Sequence, residues 1–97
     1  MKFIHITVHF EYTDEIERRL DAVPVTRYAC FPRAEGRDTT GKLDGTQVFP
    51  GNITVLQAIV EDDQVDRVLE SLRQFRDERA GHKHLEAAVL PIEKRLE

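Results

Sequence analysis

Four histidines and one glycine-rich stretch carry most of the chemistry this sequence offers. His5 and His9 stand four apart in an alternating segment, and His82 and His84 flank Lys83. A neutral imidazole binds transition metals and exchanges protons near neutral pH, so each pair is a candidate metal site. On a strand, residues four apart lie roughly 13 Å from each other, too far to share one ion within a chain. Around an oligomer axis, copies of one histidine could converge. No cysteine or carboxylate stands at ligand spacing beside either pair. The glycine-rich stretch, residues 34–51, holds Gly36, Gly41, Gly45, Gly51 and Pro50. Inside it, Gly36-Arg37-Asp38-Thr39-Thr40-Gly41-Lys42 matches the start of a phosphate-cradling loop, G-x-x-x-x-G-K. Leu43 replaces the hydroxyl residue that would hold magnesium, and no helix pattern follows to present amides to phosphate. A nucleoside-triphosphatase loop is therefore not expected. Arg37 and Lys42 remain as cations for an anionic ligand.

No nucleophile–base pair and no catalytic pair of carboxylates is visible, so an enzyme is not expected. The acid runs Asp14-Glu15 and Glu61-Asp62-Asp63 stand where helices begin, and capping accounts for them. Cys30 is the single cysteine, so no disulfide forms within the chain. With no cluster of positive charge around it, a packed thiol is expected.

The elements that must position these residues follow from periodicity. Residues 3–10 alternate, with Ile4, Ile6, Val8 and Phe10 on one face and Phe3, His5, Thr7 and His9 on the other. Thr13 or Asp14 is placed to cap a helix whose stripe is Ile16, Leu20 and Val23, and Pro24 ends it. Residues 25–33 read as a strand. Pro32 inside it cannot donate to a ladder, which predicts a sheet edge. Residues 52–60 are nearly all apolar, which suits a central strand. A helix follows from about Asp62 to Ala80, burying Val65, Val68, Leu69, Leu72 and Phe75, with Gly81 as a left-handed cap. Residues 84–91 form the last strand.

The order β-α-β-loop-β-α-β predicts an α+β ferredoxin-like βαββαβ sandwich, one domain over residues 1–97. It has a four-stranded antiparallel sheet, both helices on one face and a long loop at about 34–52. The first and third strands should be central. The other sheet face stays uncovered in a single chain, which predicts an oligomer. A connection of 18 residues exceeds the usual length between strands and marks the loop as functional.

Composition narrows the partners. Charged residues are 33 % of the chain and the net charge is −4, which argues against nucleic acid and anionic membrane surfaces. There is no leader-like apolar segment at the start and no run long enough to cross a membrane, so a cytoplasmic protein is expected.

The segments "AEGRDTTGK" (34–42), "VEDDQVDRVLESL" (60–72), "VLPIE" (89–93) and "GTQVFPGN" (45–52) resemble PII-like signalling proteins, the last as in short relatives associated with metal-efflux transporters. The resemblance runs nearly end to end. It implies a homotrimer that binds a small effector, an adenine nucleotide or another anion, in clefts between subunits. It also implies a regulated partner such as a membrane transporter, contacted through the long loop. Carried over by position, Gly36 and Arg37 would lie at the loop base beside the effector; Lys83 is nearby but out of register, and Lys42 stands as a simple cation for phosphate. The loop has no tyrosine, so the modification site of nitrogen sensors is absent. Alignment on Pro91 puts Glu86 where those members carry a phosphate-binding lysine, and a carboxylate there repels phosphate. Two other readings follow from the histidines. One is divalent-metal binding, as in the cation-tolerance family of similar trimers. The other is a small dimeric α+β-barrel enzyme with His5 or His9 as base.

Overall fold

The computed structural model describes residues 1–35 and 52–96. It places β1 at Lys2–His9, α1 at Thr13–Asp21, β2 at Arg27–Ala34, β3 at Ile53–Val60, α2 at Val65–Glu78 and β4 at Glu86–Pro91. Short 3-10 turns at Phe10–Tyr12, Asp62–Gln64 and Ala80–His82 lead into α1, into α2 and toward β4.

The four strands form one sheet in the order β2-β3-β1-β4, with every neighbouring pair antiparallel. The expected ferredoxin-like arrangement is the observed one, with β1 and β3 central. Strand period two explains why: Ile4, Ile6 and Val8 pair in register with Ala58, Leu56 and Thr54, and all six are buried. The helices cover that face through Ile16 and Leu20 of α1 and Val68, Leu72 and Phe75 of α2. Pro32 sits in β2, an edge strand, beside a register shift between Phe31 and Ala34. Arg33 there has a φ of 59°, the left-handed region that costs a side-chain-bearing residue about 1–2 kcal/mol.

Three local expectations are corrected. Thr13 lies inside α1 rather than capping it, and its hydroxyl serves the Phe10 carbonyl and Thr54, each at 2.7 Å. Tertiary packing captured the side chain that sequence assigns to a cap. Likewise neither Glu61 nor Gln64 makes a side-chain cap bond ahead of α2, and Asp62 instead meets the Met1 ammonium at 2.8 Å. Gly81 is not the left-handed cap of α2. The helix ends in extended backbone at Arg79 (φ −147°), and Gly81 lies within the following 3-10 turn, where a Cβ would meet the Tyr12 hydroxyl at 3.4 Å.

Among the described residues no helix covers the second sheet face, as expected. Cross-strand pairing arranges it in three rows: Arg27–Ile59–Phe3–Leu90, Ala29–Gln57–His5–Ala88 and Phe31–Val55–Thr7–Glu86. Among the described residues no helix is long and apolar enough to cross a membrane.

Candidate functional site

Where β1 ends, β4 begins and residues 35 and 52 leave the sheet, aromatic rings and imidazoles gather around Tyr12. Its ring stands edge-on to Phe75 (5.4 Å between centroids) and to His82 (4.6 Å), and nearly parallel to His84 (5.9 Å). His9 closes the cluster, 5.9 Å from His84 and 6.3 Å from Tyr12.

Hydrogen bonding fixes two of these imidazoles. The His9 backbone N–H donates to His84 Nε2 at 2.7 Å, so that nitrogen carries a lone pair. His84 Nδ1 lies 2.9 Å from the Gly81 carbonyl, which only accepts, so Nδ1 bears the proton. His84 is thus a neutral Nδ1–H imidazole linking the α2–β4 turn to the end of β1. By the same reasoning His82 Nδ1–H donates to the Phe75 carbonyl at 2.7 Å. Its ring lies flat on Phe75, 3.8 Å between centroids, and is 3 % exposed. Phe75 belongs to the last turn of α2, where carbonyls lack helical partners, so His82 satisfies one of them from a distance. Burial, then Glu11, hold the Tyr12 phenol above its usual range, with Arg79 working against them.

The neighbouring backbone is tied down too. The Phe10 N–H donates to the Asn52 carbonyl at 2.7 Å, joining the end of β1 to the entry of β3. The Arg33 guanidinium lies 3.9 Å over the Phe10 ring, a cation–π contact worth about 0.5–1 kcal/mol that offsets part of its backbone strain.

The structure therefore brings His9, His82 and His84 to one end of the molecule and leaves His5 apart. His5 sits mid-sheet on the open face, with Nδ1 3.5 Å from the Gln57 amide nitrogen. Among the described residues no group of three His, Cys, Asp or Glu is placed to hold a metal ion. The Nδ1 atoms of His82 and His84 are committed to backbone carbonyls instead. Lys83 points to Asp77 (3.3 Å) on the exterior. Gly36, Arg37 and Lys42 lie outside the described residues. Glu86 opens β4 opposite Thr7 and is exposed. Sequence reasoning passed over Tyr12, Phe75 as a ring platform, and the Arg33–Phe10 pair. Tyr12 and Arg33 fall at element ends, where no period singles them out.

Cys30 is half-buried and packs against the core. Burial, then Glu17, raise its thiol pKa, so the thiolate is scarce at neutral pH. Iodoacetamide should alkylate Cys30 more slowly in the folded protein than in the urea-unfolded chain at the same pH. Equal rates would mean that the thiol is open and unshifted.

No family model and no curated protein matches the chain. Solved structures do. The nitrogen regulatory PII-like protein CPII from Thiomonas intermedia K12, bound to ADP, AMP and acetate, superposes with a TM-score of 0.67. The match has 18 % identity and spans 91 % of this chain and 81 % of that one. A PII-like signaling protein from Thermus thermophilus gives 0.65 at 19 % identity, spanning 92 % and 82 %. CPII bound to ADP, AMP and bicarbonate gives 0.64 at 15 %, spanning 96 % and 88 %. The fold is that of the PII-like proteins. At this identity the agreement is one of backbone, and the side chains are this chain's own.

Proposed function

We propose that the protein is a non-enzymatic PII-like regulator that binds an adenine nucleotide between subunits of a homotrimer. The observation that carries this reading is the match of nine-tenths of the chain to PII-like structures, two of which hold ADP and AMP. Two features support it. The open sheet face is largely apolar and no element among the described residues covers it, which favours assembly. The loop base offers ring surfaces at Phe10 and Tyr12, with Arg33 and Arg79 as cations close to them. The binding residues assigned on this reading are Gly36, Arg37, Lys42 and Lys83, and we add Arg33 because its guanidinium lies over the Phe10 ring. Residues 34–52 would report occupancy to a partner such as a transporter, in the cytoplasm.

The carboxylate of Glu86 bears on the choice of nucleotide. A negative charge near a phosphate chain disfavours the most highly charged ligand. AMP and ADP should therefore bind more tightly than ATP. Isothermal titration with the three nucleotides, with and without bicarbonate, tests this. Heat from AMP or ADP at micromolar concentration is the expected result, weakened about tenfold by Arg33→Ala, equivalent to ~1.4 kcal/mol. No heat from any of the three overturns the proposal. Sedimentation of the unliganded protein tests the trimer separately.

A further inference from the structure

Among the described residues, the three paired rows of the open face carry charge only at two diagonal corners and bulky exposed apolar side chains at the other two. Arg27 begins the β2 edge and Glu86 begins the β4 edge; Phe31 lies further along β2 and Leu90 further along β4. Phe31 is 51 % exposed and Leu90 47 %. Between them the face holds only uncharged side chains and the imidazole of His5.

The chirality of the fold decides which corners meet when copies assemble. Both βαβ crossovers turn right-handedly, as such connections do. Seen onto the open face with β1 running upward, β2 is then at the left and β4 at the right. Phe31 occupies the upper left corner, Leu90 the lower right, Arg27 the lower left and Glu86 the upper right. Place copies around an axis with their open faces inward, so that the β4 edge of one adjoins the β2 edge of the next. Such a head-to-tail contact closes into a ring. Strands wrapped around an axis coil right-handedly, tilted by roughly 35–45°. Seen from inside, that tilt leans the strands to the left. It lowers the upper left corner and raises the lower right one.

We infer that Phe31 of one copy packs against Leu90 of the next, and that these apolar corners join the subunits. The same tilt carries Arg27 to one rim of the ring and Glu86 to the other, where both charges stay hydrated. The opposite tilt would bring Arg27 to Glu86 and leave Phe31 and Leu90 in water. Joining Arg27 to Glu86 in the contact would desolvate two charges, a cost that their attraction does little more than offset. The right-handed ring buries none. The committed occupant of this face is therefore a second copy of the chain, held edge to edge. The inference rests on the proposed assembly, and it adds the contact that makes it.

Cysteine pairs test it in a Cys30→Ala background. After oxidation with copper phenanthroline, Phe31→Cys/Leu90→Cys should give covalent dimers and trimers on a non-reducing gel. Arg27→Cys/Glu86→Cys should stay monomeric on the same gel. Cross-linking of the Arg27/Glu86 pair without the Phe31/Leu90 pair overturns the contact while leaving the assembly intact. A monomer on sedimentation of the unsubstituted protein overturns both. A second pair of variants, Phe31→Ser and Leu90→Ser, changes exposed side chains and spares the fold. Each should raise the concentration for half-assembly at least tenfold. Unchanged assembly in both overturns the contact.

Discussion

Phe75→Ala should remove about 3–5 kcal/mol of folding free energy, the largest loss expected from any single substitution in this chain. The ring is fully buried. One face carries the imidazole of His82 at 3.8 Å, and Tyr12 meets it edge-on at 5.4 Å. The Arg19 guanidinium lies 5.5 Å from its centroid. Arg19 also donates to the Ser71 carbonyl and pairs with Glu78, each at 2.8 Å, so the ring joins the helix layer to the loop-base cluster. Truncation therefore opens a cavity and unseats a histidine at once. A domain of this size has about 5–15 kcal/mol in total, so the loss is a large share of its stability. Urea unfolding followed by far-ultraviolet circular dichroism measures the loss, since the chain has no tryptophan to follow. Phe75→Leu keeps most of the volume and should cost less than about 2 kcal/mol. A loss under about 1 kcal/mol for the alanine variant would contradict the packing.

His82→Ala should cost about 2–3 kcal/mol. The imidazole is buried, and its Nδ1–H answers a carbonyl of the last turn of α2 that no helical amide reaches. Removing it leaves a buried acceptor unpaired as well as an empty space against Phe75. His82→Phe separates the two contributions. It retains the ring stack and loses only the donor, so it should cost about 1–2 kcal/mol. The substitution should also be felt across the turn. His84 follows two residues later and accepts the His9 N–H. Once the turn loosens, that amide should exchange with solvent faster in His82→Ala than in the parent protein, by more than the global loss of stability explains. Unchanged relative protection at His9 would mean that the turn is held by other contacts. Because His82 and Phe75 touch, the two alanine substitutions should not add, with a coupling of about 0.5–3 kcal/mol.

Much of the architecture was legible in the residues alone. Alternation in residues 3–10 separated Ile4, Ile6 and Val8 from Phe3, His5 and Thr7, because a strand sends neighbouring side chains to opposite faces. The apolar run at 52–60 announced a central strand, and Pro32 an edge. Val68, Leu72 and Phe75 recur at helical spacing and are the buried face of α2. These signals are local, and burial on one face is enough to impose them.

The loop-base cluster was not legible in that way. His9, Tyr12, Phe75, His82 and His84 come from β1, the turn into α1, the end of α2 and the turn before β4, and no spacing links them. Of the four histidines that looked like two pairs of metal ligands, His9, His82 and His84 became parts of a packed, hydrogen-bonded joint, and His5 stayed apart on the open face. Their nitrogens met carbonyls and an amide that only the closed sheet brings near. Thr13 went to Thr54 rather than to a helix start for the same reason: a buried hydroxyl takes the partner that packing supplies. By itself, then, the sequence determined the order of elements, the core stripe of each and the open face of the sheet, since these depend on periods of two and 3.6 residues. Tertiary structure alone decided which imidazoles meet, which tautomers they hold and which corners of the open face carry Phe31, Leu90, Arg27 and Glu86. Those outcomes depend on contacts between segments far apart in the chain.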